Sequence, residues 1–166
     1  MKKLHLIRHA KSSWNNSYLA DIDRPLNRRG VKACQIMAPQ IAKAGCTFET
    51  VFCSPAVRAQ ATIEGIAQAL SSQAITWQTD DRLYTFEARA LFSWCQALDE
   101  VLSEVVVVGH NSAITDFVNR VCDRPIENVP TCGYIQLKLT VRTWQNLSEN
   151  SAELVTFLKP RMFAET

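Results

Sequence analysis

Short apolar runs alternate along the chain with longer segments whose apolar positions recur at helical spacing. The clearest run is residues 105–108, four valines without polar alternation, which predict a central parallel strand buried on both faces. Further strands are predicted at residues 2–7, at 50–53 and, more weakly, at 75–79. The last two, at 134–141 and 153–159, are joined by a short polar connection and predict an antiparallel hairpin.

Helical segments separate these strands. Asn27 is predicted to cap a helix that extends to about Lys43, and Pro39 is expected to distort that helix or end it early. Ser54 and Pro55 predict a second cap, with proline at the first position of a helix reaching about residue 70. Two more helices are predicted at residues 87–102 and 112–122. This alternation indicates an α/β fold, a three-layer α/β/α sandwich with a mostly parallel central sheet.

Composition limits the classes of protein that fit. A chain of 166 residues suits one domain, residues 1–166, with a sizeable core. Its 18 basic and 16 acidic residues are interspersed, which argues against nucleic-acid binding. No apolar run is long enough to span a membrane, and Arg8 and His9 interrupt the first run too early for a signal peptide, so we expect a cytoplasmic protein. The six cysteines lack metal-ligand spacing and are expected to be reduced and buried.

Cationic and imidazole side chains follow three of the predicted strands. Arg8 and His9 follow the first, Arg58 follows the second, and His110 follows the valine strand. The carboxyl ends of parallel strands meet at one edge of a sheet, where helix N-termini also present free N–H groups to an anion. A guanidinium offers a planar donor fork to phosphate oxygens, and a neutral histidine is a nucleophile. Each residue alone has an ordinary structural explanation, but together they predict a phosphate pocket.

The same motifs resemble the histidine phosphatase superfamily. Residues 6–10 resemble its Arg-His-Gly signature, and residues 11–15 resemble the stretch after its nucleophile. Matches to its other motifs follow in the family's order, at residues 24–30, 54–62 and 109–111. The short chain length and the sequence Arg-His-Ala-Lys-Ser-Ser-Trp resemble those of the SixA-like branch, the small phosphohistidine phosphatases.

The resemblance implies a phosphoglycerate mutase-like fold and a catalytic group of four residues. His9 would become phosphorylated, while Arg8, Arg58 and His110 would hold the phosphoryl oxygens. At the rim, Ser12, Asn15 and Asn111 would contact the substrate. The substrate would be a phosphohistidine of a partner protein, such as a phosphotransfer domain or phosphocarrier, and the reaction would need no metal or other cofactor. His5, on the same face of its strand as His9, is expected to be structural.

The sequence does not fix a general acid for the leaving group. Asp80, Asp81 and Glu87 follow the weak strand, and Glu87 is the first candidate, although a first-turn glutamate is also favoured by the helix dipole. A site without an acid suits a phosphoramidate, because imidazole departs readily. Two alternatives stay open: a broad-specificity small-molecule phosphomonoesterase with Glu87 or Asp81 as acid, and a non-catalytic phosphoprotein-binding module. His9 argues against the second, since binding alone needs no nucleophile.

Overall fold

A computed structural model describes residues 1–164, in which a six-stranded sheet lies between two layers of helices. The strands are β1 (Lys3–Arg8), β2 (Val51–Cys53), β3 (Gln78–Thr79), β4 (Glu104–Gly109), β5 (Tyr134–Leu139) and β6 (Ala152–Leu158). The helices are α1 (Arg28–Lys43), α2 (Val57–Ala69), α3 (Ala88–Gln96) and α4 (Ala113–Val121). Among the described residues, no helix is both long and apolar enough to cross a membrane.

The strand order across the sheet is β3-β2-β4-β1-β5-β6. The first four strands in this order are parallel, whereas β5 pairs antiparallel with β1 and β6 antiparallel with β5. The register pairs Arg8 with Gly109 and Cys53 with Val108, so β1, β2 and β4 end at the same edge. The predicted sandwich, its mostly parallel sheet and the final hairpin are thereby confirmed.

The valine strand β4 lies at the centre of the core. Val105 and Val107 pack in the cluster formed with α3 and α4, and Val106 and Val108 pack in the cluster formed with α1 and α2. All four are at most 1% exposed, which explains the absence of polar alternation. Burial of one such side chain contributes roughly 1.5–3 kcal/mol relative to exposure.

Several local predictions need correction. Helix α1 continues through Pro39 to Lys43, because Pro39 lies on the exposed side, where water can satisfy the carbonyl that loses its partner. Helix α2 begins two residues later than expected, with Ala56 rather than Ser54 as its N-cap. The Ser54 hydroxyl instead accepts from the Ala56 amide in the turn before the helix. Helix α3 ends at residue 96 rather than 102, and β3 has only two residues.

Two features fix the loop that leaves β1. The Asn27 side chain accepts a hydrogen bond of 2.8 Å from the Gly30 amide, which confirms the predicted cap of α1. A Cβ atom on Gly30 would collide with the carbonyl oxygen of Lys11, so glycine permits this close approach. The first turn of α1 therefore packs directly against the chain that follows β1. All six cysteines are buried and free.

Candidate active site

The structure brings Arg8, His9, Arg58 and His110 together at the carboxyl edge of the parallel strands. Arg8 ends β1, Arg58 lies in the first turn of α2, and His110 follows β4. The ring centroids of His9 and His110 are 5.2 Å apart, and Nη2 of Arg58 lies 3.5 Å from Nδ1 of His110. His9, Arg58 and His110 are 8%, 2% and 1% exposed, whereas Arg8 is half-buried. Arg58 therefore points into the site and not towards solvent.

The His9 imidazole is held in one tautomer. Its Nδ1 lies 2.7 Å from the Ala10 carbonyl oxygen, and because a carbonyl only accepts, Nδ1 carries the proton. The lone pair is then on Nε2. Burial lowers the pKa of His9 to about 4, and the charges of Arg58, Arg8 and Arg24 act in the same direction against the opposing hydrogen bond to Ala10. At neutral pH this side chain is uncharged, with an Nε2 lone pair that can act as a nucleophile.

The turn that carries His9 is anchored to α2. The Ala10 amide donates to the Thr62 hydroxyl at 2.8 Å, and that hydroxyl donates to the Arg58 carbonyl at 2.7 Å. These hydrogen bonds thus connect the backbone next to His9 to the helix that carries Arg58.

His110 is held by two polar groups. Its Nε2 lies 2.7 Å from the Ser54 hydroxyl, while its Nδ1 faces Arg58, which can only donate. The proton is therefore on Nε2 and is donated to Ser54. Burial, followed by the nearby His9 and Arg58, lowers the pKa of His110 to about 3. The rings of Tyr84 and Phe86 each lie 5.4 Å from the His110 ring, centroid to centroid.

Both site arginines are positioned by part of their guanidinium groups. Arg8 donates from Nη1 to the Val129 carbonyl at 2.9 Å. Arg58 donates from Nη1 to the Asp21 carbonyl at 2.6 Å and from Nη2 to the Asp21 carboxylate at 2.9 Å. In residues 1–164, the Nε atoms of Arg8 and Arg58 are the buried side-chain polar atoms without a hydrogen-bond partner. A buried donor without a partner costs roughly 1–3 kcal/mol, and phosphoryl oxygens are acceptors suited to it.

Asp21 is a site residue that the sequence analysis does not identify, because it belongs to none of the motifs found there. It accepts from Arg58, from Arg24 at 3.2 Å and from the Tyr84 hydroxyl. Partial burial opposes its ionisation, but the hydrogen bonds from Tyr84 and Arg58 and the charge of Arg58 lower the pKa of Asp21 to about 2. Its spacing of three residues from Arg24 is the only local signal, and it is a weak one.

Arg24 is the second missed residue, and it explains the position of Ser12. Arg24 is 7% exposed and donates to the Ser12 hydroxyl at 2.9 Å. Its guanidinium carbon lies 3.4 Å from the centroid of the Trp14 ring, which is itself 75% exposed. Ser12 is thus engaged with a third arginine near His9.

The structure does not bring the two predicted asparagines to the same point. Asn111 donates to the Val129 carbonyl and the Asn128 side chain, each at 2.9 Å, and accepts from the Thr115 amide at 3.0 Å. Its side chain therefore holds α4 to the segment that also binds Arg8, which is a positioning contact. Asn15 is exposed in the loop after β1, and its role at the rim stays a prediction.

The candidate acids occupy different surroundings. Asp80 is engaged by Arg82 at 2.7 Å and by the Trp94 indole at 2.9 Å, so its carboxylate is committed to structure. Asp81 is exposed in a 3-10 turn. Glu87 is exposed at the N-cap of α3 without a capping hydrogen bond, and it directly follows Phe86, which contacts His110.

Comparisons with known proteins agree with this geometry. A protein of Mycobacterium leprae of uncharacterized function is 29% identical over 93% of this chain and 100% of its own length. A 2,3-bisphosphoglycerate-dependent phosphoglycerate mutase of Lactiplantibacillus plantarum is 31% identical, but over 51% of this chain and 39% of that protein. A solved structure assigned as the phosphohistidine phosphatase SixA of Agrobacterium tumefaciens is 25% identical, with a TM-score of 0.79 over 96% of this chain and 98% of that chain.

The family profile of the histidine phosphatase superfamily, branch 1, matches residues 4–89. This span contains Arg8, His9 and Arg58, and His110, which follows β4, completes the group. The chain belongs to the histidine phosphatase superfamily.

Proposed function

We propose that this protein is a phosphohistidine phosphatase that removes the phosphoryl group from a histidine of a partner protein through a covalent phospho-His9 intermediate. The observation that carries the proposal is the fixed tautomer of His9, a neutral imidazole with its Nε2 lone pair free and with the guanidinium groups of Arg8, Arg24 and Arg58 nearby. A non-catalytic binding module would have no use for a histidine that is kept neutral and nucleophilic.

The reaction has two displacements at phosphorus. In the first, Nε2 of His9 bonds to phosphorus as the bond to the partner's histidine nitrogen breaks, and that nitrogen takes a proton from water. In the second, water attacks phosphorus, the bond to Nε2 breaks, and inorganic phosphate leaves with His9 neutral again. Neither displacement needs a metal ion, because the charge on the phosphoryl oxygens is met by arginines.

Arg8 and Arg58 provide the electrostatic part of catalysis. Their partly satisfied guanidinium groups are held by Val129 and Asp21, so they need no reorganisation when the phosphoryl group arrives. A bound phosphoryl dianion would raise the pKa of His110 against the burial and the positive charges that lower it, and His110, after taking up a proton from water at Nδ1, would donate a hydrogen bond from Nδ1 to a phosphoryl oxygen.

The leaving group decides between a phosphoramidate and a phosphoester substrate. The carboxylate closest to the site arginines, Asp21, forms an ion pair with Arg58 and is ionised at neutral pH, so it is a poor proton donor. Imidazole leaves without a strong acid, and the likeness to the SixA structure supports the same substrate class. A second function, hydrolysis of small phosphomonoesters, is favoured by the mutase relative and by the place of Glu87 beside Phe86.

One comparison of substrates separates the two functions. We expect phosphohistidine to be cleaved far faster than a sugar phosphate, and aryl phosphates to be cleaved faster as their phenols become more acidic. Glu87→Gln should leave all these rates unchanged, like Glu149→Gln, a matched change at an exposed glutamate in the β5–β6 connection. A general acid contributes about 10²–10⁴-fold, so its loss would be obvious. Good turnover of sugar phosphates that fell about a hundredfold in Glu87→Gln would establish the phosphomonoesterase instead.

A further inference from the structure

A surface groove of about 930 Å³ begins next to the active site. One of its walls is the first half of α1, another is the chain segment 127–131, and the third is the segment after β6. Its floor and sides include apolar side chains, among them Ile36, Pro130 and Phe163. A volume of this size exceeds what a phosphoryl group requires and is large enough for several side chains of a bound peptide or for a drug-sized ligand.

The charges along this groove are strongly one-sided. Five cationic side chains line it, against the single carboxylate of Glu127; they are Lys11, Arg29, Lys32, Lys159 and Arg161. None of the five forms an ion pair with a carboxylate within residues 1–164. The chain as a whole carries a net charge of only +2, so this is a local concentration of positive charge. Such a surface attracts an acidic partner and orients it.

The groove shares its inner end with the catalytic residues. Lys11 is two residues beyond His9, and Pro130 and Thr131 directly follow Val129, whose carbonyl binds Arg8. Asn128, another residue of the groove, accepts from Asn111 next to His110. A chain lying in the groove would therefore continue from the position of the phosphoryl group.

We propose that the groove binds an acidic segment of the phosphohistidine-bearing partner protein, with acidic side chains on the five cations and apolar side chains on Ile36 and Phe163. This proposal rests on the proposed function for its phosphohistidine, but not for its charge preference. The mixed lining favours a polypeptide over a small polyanion, because a polyphosphorylated small molecule would leave the apolar wall without a partner. The partner's sequence around its histidine is thus expected to be rich in glutamate or aspartate, interspersed with large aliphatic residues such as leucine.

The test uses synthetic peptides with a central phosphohistidine, flanked by glutamate and leucine in one and by glutamine and leucine in the other. We expect the wild-type protein to cleave the acidic peptide with a kcat/KM about tenfold above that of its neutral counterpart, mainly through KM. This preference should shrink as NaCl rises, since exposed charges are screened. Free phosphohistidine serves as the substrate that cannot reach the groove.

A double charge reversal tests the groove itself. Lys32→Glu with Arg161→Glu should abolish the preference for the acidic peptide and leave turnover of free phosphohistidine unchanged. The matched control, Lys43→Glu with Arg142→Glu, makes the same change in net charge, and its Lys43 lies on the same helix as Lys32 but outside the groove. The control should keep the preference. Equal cleavage of the two peptides by the wild type, or equal effects of both double variants, would overturn the proposal.

A second pair of peptides, with phosphotyrosine in place of phosphohistidine, separates this proposal from the proposed function. If the wild type cleaves no phosphohistidine but still prefers the acidic phosphotyrosine peptide, the groove is supported and the phosphohistidine function is wrong. If the groove reversal instead impairs hydrolysis of a small bisphosphorylated ester and leaves both peptide pairs unaffected, the groove binds a small polyanion and the proposal is wrong.

Discussion

The two ends of β1 carry histidines in opposite electrostatic settings. Near the amino end, His5 is fully buried, with Nε2 2.6 Å from a Glu104 carboxylate oxygen and Nδ1 2.6 Å from the Tyr134 hydroxyl. An ionised carboxylate only accepts, so His5 carries its proton on Nε2 and both ring nitrogens are satisfied. Past the carboxyl end, His9 carries its proton on Nδ1 and offers Nε2 to the site.

The charged groups nearby follow the same contrast. At the amino end, Lys2 donates to the Leu102 carbonyl at 2.7 Å and lies 3.7 Å from a carboxylate oxygen of Glu100. At the carboxyl end, Arg8 and Arg58 keep buried Nε donors without partners among the described residues. At the amino end the polar groups hydrogen-bond to one another, which stabilises the fold. At the carboxyl end, the two Nε donors can bind the oxygens of a phosphoryl group, and the Nε2 lone pair of His9 can attack its phosphorus. The difference teaches that the hydrogen-bond partners of a histidine, and not the residue type, distinguish the structural His5 from His9, the proposed nucleophile.

The largest expected effect separates these two histidines. His9→Ala should reduce phosphohistidine turnover at least about 10⁴-fold without loss of fold, because it removes the nucleophile at a strand end. His5→Phe should keep turnover per folded molecule within about threefold, but lower the free energy of unfolding by roughly 2–4 kcal/mol, since Glu104 and Tyr134 lose their buried partner. Rates come from phosphate release and stability from urea unfolding. Substantial activity in folded His9→Ala protein would contradict the mechanism.

The next effect concerns the unpaired guanidinium donors. Arg58→Gln should lower kcat/KM by about 10²–10³-fold, because one preorganised charge-assisted contact to the phosphoryl oxygens is lost. It should also weaken competitive inhibition by tungstate. Arg82→Gln, at an exposed arginine whose ion pair with Asp80 lies outside the site, is the control and should stay within about twofold. Equal activity of the two variants would show that the Arg58 guanidinium, with its unpaired Nε donor, does not contribute to catalysis.

The smallest expected effect concerns the tautomers and pKa values of His5 and His9, which an NMR titration measures. Nitrogen NMR of the three histidines should show His5 protonated on Nε2 and His9 on Nδ1, both neutral at pH 7.5, since burial lowers the pKa of each below its ordinary value of 6.5. Saturating tungstate should raise the pKa of His9 and His110 and leave that of His5 unchanged. A common tautomer, or equal shifts at His5 and His9, would remove the distinction between the two ends.

The same pKa values set the sign of a stability change with pH. The unfolded chain takes up protons at its histidines near pH 6.5, whereas folded His9 takes one up only near pH 4. The unfolded state therefore binds more protons in this window, and the free energy of unfolding should fall as the pH falls from about 6.5 towards 4. Urea unfolding across this range measures it, and His9→Ala should show a shallower decline than the wild type.

The sequence by itself determined the order of the elements and the positions of the main candidate catalytic residues. The four valines of β4, the Asn27 cap and the Arg-His, Arg and His motifs after three strands are local patterns. Hydrophobic periodicity and strand ends are enough to predict the sheet and its functional edge. The same local rules gave the wrong first residue for α2 and wrongly predicted that α1 ends early at Pro39. Ser54 binds His110 instead of capping α2, and Pro39 faces solvent. Both facts depend on neighbours elsewhere in the chain.

Only the tertiary structure decided which polar groups are satisfied. Asp21 and Arg24 became site residues because Arg58, Tyr84 and Ser12 lie beside them after folding. The tautomers of His5 and His9 follow from Glu104 and from the Ala10 carbonyl, and the cationic groove gathers side chains from both ends of the chain. Burial and hydrogen-bond partners are set by contacts between residues distant in sequence, so no local pattern could reveal them.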